Sequence, residues 1–167
     1  DEVISEPSVD MICVGEGEGL VAELCNQLES SSDITSIRNL WLKANGKIIK
    51  NELRPLITLD DLPVLDFNGF DDYNFYRPLA GKLYRMANVD ISRGCPFQCS
   101  YCVNRTFQKM FKGLGRYHRV KSIKKAIDDL VHVKGKYNIE MMRFWDEDFG
   151  VFTLDYLKEL AEEYKKR

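Results

Sequence analysis

Val9 to Val14 form a short, mostly apolar run with β-branched residues, and it ends in Gly15-Glu16-Gly17-Glu18-Gly19. The length and the glycine stop predict a buried strand entering a turn. Leu20, Val21, Leu24, Cys25 and Leu28 then recur at helical spacing and predict a helix from Leu20 to Glu29. Ser30 to Asp33 break it. One strand and one helix cannot bury a core. The segment therefore reads as the last unit of an α/β domain whose earlier strands lie outside this sequence.

Asn39 to Ala44 and Lys47 to Lys50 are β-like and flank Asn45-Gly46, a pair that supplies the positive-φ positions of a tight turn. They predict a β-hairpin. Residues 51–88 hold Pro55, Pro63 and Pro78 and many aromatics, with no sustained period. They read as an extended, packed linker, because the aromatics need cover. Asn88 to Ser92 predict a short strand. Ser122 is the expected N-cap of a helix through Val133, with Ile123, Ala126, Ile127 and Leu130 on one face and Gly135 as its stop. Ile139 to Trp145 predict a second strand. Thr153 caps a last helix with Leu154, Leu157, Leu160 and Ala161 turned inward. Residues 89–167 thus read βα-βα, the repeating unit of a parallel barrel or open sheet. Two units do not close a barrel, which takes ~250 residues.

The 167 residues carry 24 Lys+Arg against 26 Asp+Glu, a net charge of −2, with 44% hydrophobic and 30% charged residues. This is globular composition, and it gives no electrostatic case for nucleic acid. No apolar run approaches the ~18 residues of a membrane span. The start, Asp1 to Pro7, lacks the basic and apolar regions of a signal peptide and lacks an initiator Met, as in an excised piece of a longer chain. Cys13, Cys25, Cys95, Cys99 and Cys102 make an odd set, three of them within eight residues. That is poor arithmetic for a disulfide framework and predicts a reducing, cytoplasmic setting.

The strongest chemical signal is Cys95-Pro96-Phe97-Gln98-Cys99-Ser100-Tyr101-Cys102, a C-x3-C-x2-C loop. Three thiolates on one short loop can converge on a single soft metal centre. With three protein ligands, a 4Fe–4S cluster keeps one iron open to a small molecule. A structural zinc site with His118 or another residue as fourth ligand is the alternative, although no second C-x2-C half is present. A redox pair from Cys99 and Cys102 is a third.

The cysteine spacing, with an aromatic before the last Cys and a strand before the loop, resembles the signature of the radical S-adenosylmethionine (radical SAM) superfamily. Ser92 to Phe97 and Cys99 to Cys102 are similar to the form in members with an N-terminal cobalamin-binding domain. Val9 to Glu18 resemble the end of that domain, Leu59 to Pro63 its interdomain linker, and Phe144 to Phe149 the end of the second barrel strand. The resemblance implies an α/β fold: a partial (β/α) radical SAM barrel of two βα units, preceded by a cobalamin-domain remnant and a linker with a β-hairpin. It implies a remnant over 1–30, a linker over 31–88 and the start of the barrel over 89–167.

It also implies chemistry. Cys95, Cys99 and Cys102 would each bind one iron. The fourth iron would take the amino and carboxylate groups of S-adenosylmethionine, whose reductive cleavage yields a 5′-deoxyadenosyl radical. Tyr101 would pack beside the cluster and offer its backbone to the adenine. Asp146, Glu147 and Asp148 stand where the superfamily often has Gly-Gly-Glu, a segment that holds the methionyl amino group. An acidic loop capping the next helix is the plainer reading of these three. The full-length protein would carry cobalamin and act on an unknown small-molecule substrate, by methyl transfer or oxidative rearrangement. Its reductant would be a flavodoxin or ferredoxin. The piece by itself is expected to be inactive, and its unpaired second strand to promote dimerisation. A zinc-stabilised, non-catalytic binding module is the competing class.

Other features carry less. The Gly15 to Gly19 turn fails as a dinucleotide site: Leu20 stands where G-x-G-x-x-G needs its third glycine, and two glutamates would repel a pyrophosphate. The histidines, His118 and His132, follow the cysteines, so this chain alone offers no cobalt ligand upstream. Cys13 and Cys25 read as core residues, Trp41 and Trp145 as packing residues, His132 as a surface residue, and the basic stretch at Arg116 to Lys125 as a solvated helix start.

Overall fold

The structure is a computed structural model and describes residues 2–167. The chain divides into two compact units. One comprises residues 2–57 and 109–115, the other residues 58–108 and 116–167.

In the first unit α1 (Glu2–Ser5) precedes β1 (Met11–Cys13), and α2 (Glu18–Glu29) leads to β2 (Leu40–Ala44) and β3 (Lys47–Lys50). The strand, glycine turn and helix occur in the expected order, and the helix starts two residues early, at Glu18. Asn45 and Gly46 both take positive φ, 51° and 73°, and close the expected hairpin. β1 joins this hairpin as an antiparallel neighbour, with Met11 opposite Leu42 and Cys13 opposite Leu40. The sheet order is β1-β2-β3. Leu20, Ile37, Leu40 and Leu42 form the core of this unit. Cys13 and Cys25 lie exposed instead of inside it. Leu20 and Leu24 complete the helix's buried face, so the stripe is narrower than the apolar spacing implied.

The second unit holds β4 (Tyr76–Leu79), β5 (Lys82–Val89), β6 (Ser92–Arg93), α3 (Asn104–Met110, through Gln108), β7 (Arg119–Val120), α4 (Ile123–Tyr137), β8 (Met141–Phe144) and α5 (Leu154–Lys166). Its main sheet is mixed. β4 and β5 form an antiparallel hairpin, and β8 lies parallel to β5 with Asn88 opposite Arg143 and Val89 opposite Phe144. α4 makes the crossover that a parallel pair needs. The hairpin falls where the sequence suggested an extended linker, and β5 begins six residues before the expected strand. Ala80 and Gly81 form its turn at φ of 48° and 76°.

Ser122 caps α4 as expected, its Oγ accepting from Lys125 N at 3.2 Å, and Thr153 Oγ1 caps α5 by accepting from Tyr156 N at 3.3 Å. Gly135 does not stop α4. The helix runs on to Tyr137, and Asn138 ends it in the left-handed region at φ 51°. Ala126, Ile127 and Leu130 pack beneath the sheet with Val89, Ile91, Phe152 and Leu160. On α5 the inward residues are Tyr156, Leu157 and Leu160, while Leu154 and Ala161 are exposed. No helix among the described residues is long and apolar enough to cross a membrane.

Candidate functional site

The cysteine loop leaves the C-terminal end of β5 by way of Asp90 and Ile91. Its foot is held by three other segments. Lys121 is buried, donates from Nζ to the Asp90 carbonyl at 2.7 Å, and pairs with the equally buried Asp129 at 3.1 Å. Asp129 takes a second ammonium, Lys125, at 2.7 Å. Burying a lysine is costly unless it is paired and hydrogen-bonded, and here both conditions are met. Lys121 N also donates to Ile91 O at 2.8 Å, which continues the β6–β7 ladder.

The acids after β8 complete the clamp. Asp146 Oδ1 accepts from Ile91 N at 3.2 Å, Ser92 N at 2.6 Å and Ser92 Oγ at 2.5 Å. Its Oδ2 is buried and has no hydrogen-bond partner. Burial pushes the Asp146 carboxyl above its usual range against the pull of these donors. Glu147 Oε1 accepts from Gly94 N at 3.1 Å. Gly94 sits at φ 80°, and a Cβ there would meet the Tyr117 carbonyl oxygen at 2.5 Å, so this position requires glycine. Asp148 plays a different part. Its Oδ1 accepts from Gly150 N at 2.8 Å and caps the 3-10 turn Phe149–Val151.

Beyond Gly94 the loop opens. Cys95 and Cys102 are half-buried and Cys99 is exposed; all three are free thiols. The side-chain amide of Gln108 donates to Cys95 O at 2.7 Å and to Phe97 O at 2.9 Å. Asn104 Nδ2 donates to Cys102 Sγ at 3.6 Å, and Tyr117 Oη donates to Asn104 Oδ1 at 2.6 Å. Gln108, Asn104 and Tyr117 had no sequence signal, because a polar residue on a short helix or loop has no period. Tyr101 is 91% exposed, and the Cys99 sulfur beside it pushes its phenol above the usual range. His118 Nε2 is buried without a partner, and burial first, then Arg116, pushes the imidazole below its usual value.

Among the described residues no three His, Cys, Asp or Glu side chains are gathered closely enough to hold a metal ion, and His118 joins no such group. The donor set nonetheless fits a soft centre: three cysteines on one loop, none of them in a disulfide, with Asn104 already donating to one sulfur.

The loop foot borders an open cleft of about 740 Å³ at the C-terminal ends of β5 and β8. Val89, Asp90, Ser92, Arg93, Trp145 and Asp146 line it. Clefts beyond the carboxyl ends of parallel strands are where α/β folds bind ligands. Trp145 forms part of this wall and is mostly exposed, where the sequence suggested packing.

No family model matches the chain. It is 31% identical over 147 residues to an uncharacterized methyltransferase of Pyrococcus horikoshii, covering 86% of this chain and 29% of that one. It is 28% identical over 150 residues to the anaerobic magnesium-protoporphyrin IX monomethyl ester cyclase of Synechocystis, covering 89% and 28%. Among solved structures, the radical S-adenosylmethionine methyltransferase TsrM of Kitasatospora setae superposes with a TM-score of 0.61 at 14% identity, over 92% of this chain and 28% of that one. OxsB, a cobalamin-dependent S-adenosylmethionine radical enzyme, gives 0.61 at 17%, over 94% and 21%. The likeness to these solved structures shows that the chain shares their fold over most of its length. The curated relatives it matches are enzymes, a methyltransferase and a cyclase among them. The chain spans less than a third of the length of these curated relatives and solved structures.

Proposed function

We propose that this chain is the part of a radical SAM enzyme that carries the cluster loop and the first wall of the active-site cleft. The observation that carries the reading is the position of the C-x3-C-x2-C loop. It leaves the C-terminal end of the first strand of a parallel βαβ unit and is rooted beside an open cleft. Residues 89–167 would be the first two βα units of a (β/α) barrel, 31–88 the linker, and 1–30 the end of a cobalamin-binding domain. Cobalamin would belong to the full-length protein.

Cys95, Cys99 and Cys102 would hold a 4Fe–4S cluster. When bound, that cluster supplies the electron for reductive cleavage of S-adenosylmethionine to a 5′-deoxyadenosyl radical. The chain's own residues prepare the place. Lys121, Asp146 and Glu147 fix the backbone from which the thiols hang. Asp146 Oδ1 is engaged by the loop, and the unpartnered, buried Oδ2 would accept from the methionyl ammonium once uncovered. Glu147, Asp148 and the exposed Tyr101 complete the proposed S-adenosylmethionine contacts. Methyl transfer or oxidative rearrangement of a small molecule is the proposed outcome, with a flavodoxin or ferredoxin as reductant.

Anaerobic reconstitution with iron and sulfide tests this. About four irons per chain, with a reduced EPR spectrum that changes on adding S-adenosylmethionine, is expected. Tight zinc with no iron uptake overturns it in favour of a binding module. β8 has one strand neighbour in its sheet among the described strands, so it presents a pairing edge. A dimer is expected by light scattering, and a strictly monomeric mass rules that part out.

A further inference from the structure

The two faces of the β5–β8 pair differ in chemistry. Ala87, Val89, Met142 and Phe144 point to α4 and α5 and join the cores there. Strand alternation puts Asn88 and Arg143 on the opposite face, side by side in the parallel register. Trp145 joins them, because the Arg143 guanidinium lies over its ring at 4.4 Å. All three line the 740 Å³ cleft.

The cleft also holds three acids, and each is tied to the loop foot, although Asp90 Oδ2 and Asp146 Oδ2 accept no hydrogen bond. Asp146 Oδ1 serves Ile91 and Ser92, Glu147 serves Gly94 N, and Asp90 Oδ2 lies 3.6 Å from Arg93 Nε. Arg143 is different. Among the described residues its guanidinium has the indole as partner and no carboxylate or carbonyl. An indole under the plane orients a guanidinium without using its in-plane N–H donors. Those donors form a fork that fits a carboxylate or phosphate with two parallel bonds. The Asn88 amide beside it can add another donor.

We propose that Arg143, backed by Trp145 and flanked by Asn88, receives an oxyanion of the molecule bound in the cleft. The substrate class is then a small molecule bearing a carboxylate or a phosphate. The assignment rests on the reading of this cleft as the substrate site, but its test needs neither iron nor S-adenosylmethionine, so the two can fail separately.

The test uses the 167-residue chain labelled with 5-fluorotryptophan. Its two tryptophan signals are assigned with Trp145→Phe and followed by 19F NMR. Inorganic phosphate and succinate are titrated at constant ionic strength. A saturable shift of the Trp145 signal is expected while Trp41 stays still. Response to phosphate alone assigns a phosphate, and response to succinate alone a carboxylate. Arg143→Gln is expected to weaken the response about tenfold or more. Arg143→Lys should recover part of it, because the point charge remains and the fork is lost. No saturable shift with either anion overturns the proposal. So does an equal response in Arg143→Gln, or parallel movement of both tryptophan signals.

Discussion

The foot and the tip of the cysteine loop adjoin in sequence and differ in almost every physical respect. From Asp90 to Gly94 the backbone is gripped by Lys121, Asp146, Glu147 and the β7 strand, and Ile91 and Ser92 are buried. From Phe97 to Val103 the chain is largely exposed, and Tyr101 is almost wholly in solvent. The foot is a folded anchor, whereas the tip carries chemistry with little packing of its own. Substitutions in the foot should therefore report as stability, and substitutions in the tip as ligand binding.

The largest effect is expected at Gly94. Gly94→Ala forces a Cβ against the Tyr117 carbonyl at a left-handed φ, and both are backbone constraints that cannot relax cheaply. A loss of ~3 kcal/mol is expected, read as a lower urea midpoint. Unchanged stability would show that the foot is no more rigid than the tip.

Lys121→Met comes next. It keeps the aliphatic stem but removes the ammonium from Asp129 and from the Asp90 carbonyl. Asp129 retains Lys125, so the cost should fall below that of a fully stranded charge, at about 2 kcal/mol. Lys125→Met leaves the tie to Asp90 intact and should cost less. If the order is reversed, the anchoring role belongs to α4 and not to the loop foot.

What the sequence made legible follows the same division. Cys95, Cys99 and Cys102 declare themselves by spacing, and Ser122, Thr153 and Asn45-Gly46 by local hydrogen bonding and turn chemistry. The foot stayed hidden because its contacts join residues far apart: Asp146 to Ser92 and Lys121 to Asp90 have no periodic signature. The resemblance implies S-adenosylmethionine contacts for Asp146 and Glu147 and is silent on the bonds both make to the loop foot. Local rules also failed where context overrode them. Ala80 holds a positive φ in the β4–β5 turn without the usual Asn or Gly, so that hairpin read as a linker. Gly135 reads as a stop in sequence, yet Asn138 supplies the left-handed residue that ends the helix. Residue type alone predicts packing for Cys13, Cys25 and Trp145, and each faces solvent instead.

A smaller effect is expected at His118, beside the foot. Its folded-state value is depressed by burial and by Arg116, against the opposing pull of Glu147 and Asp146. The unfolded chain then binds more protons than the folded one between that depressed value and about 6.5. Stability should be fully present above about pH 6.5 and decline as the pH falls through that window. Tm measured from pH 7.5 to 5.5 should fall in the native chain and less so in His118→Phe. Identical slopes would mean that the imidazole is free to charge.

The smallest effect on stability is expected at Tyr101. A side chain this exposed loses little cover on truncation, so Tyr101→Ala should lie within about 0.5 kcal/mol of the native chain. The same variant removes the phenol beside Cys99 and the aromatic expected against the cluster. Unchanged urea unfolding together with a perturbed response of the reconstituted cluster to S-adenosylmethionine would separate tip from foot within one loop. A clear loss of stability would instead show that the tip packs against something even in the metal-free chain. The boundary between anchor and ligand-bearing segment would then lie further along the loop than Gly94.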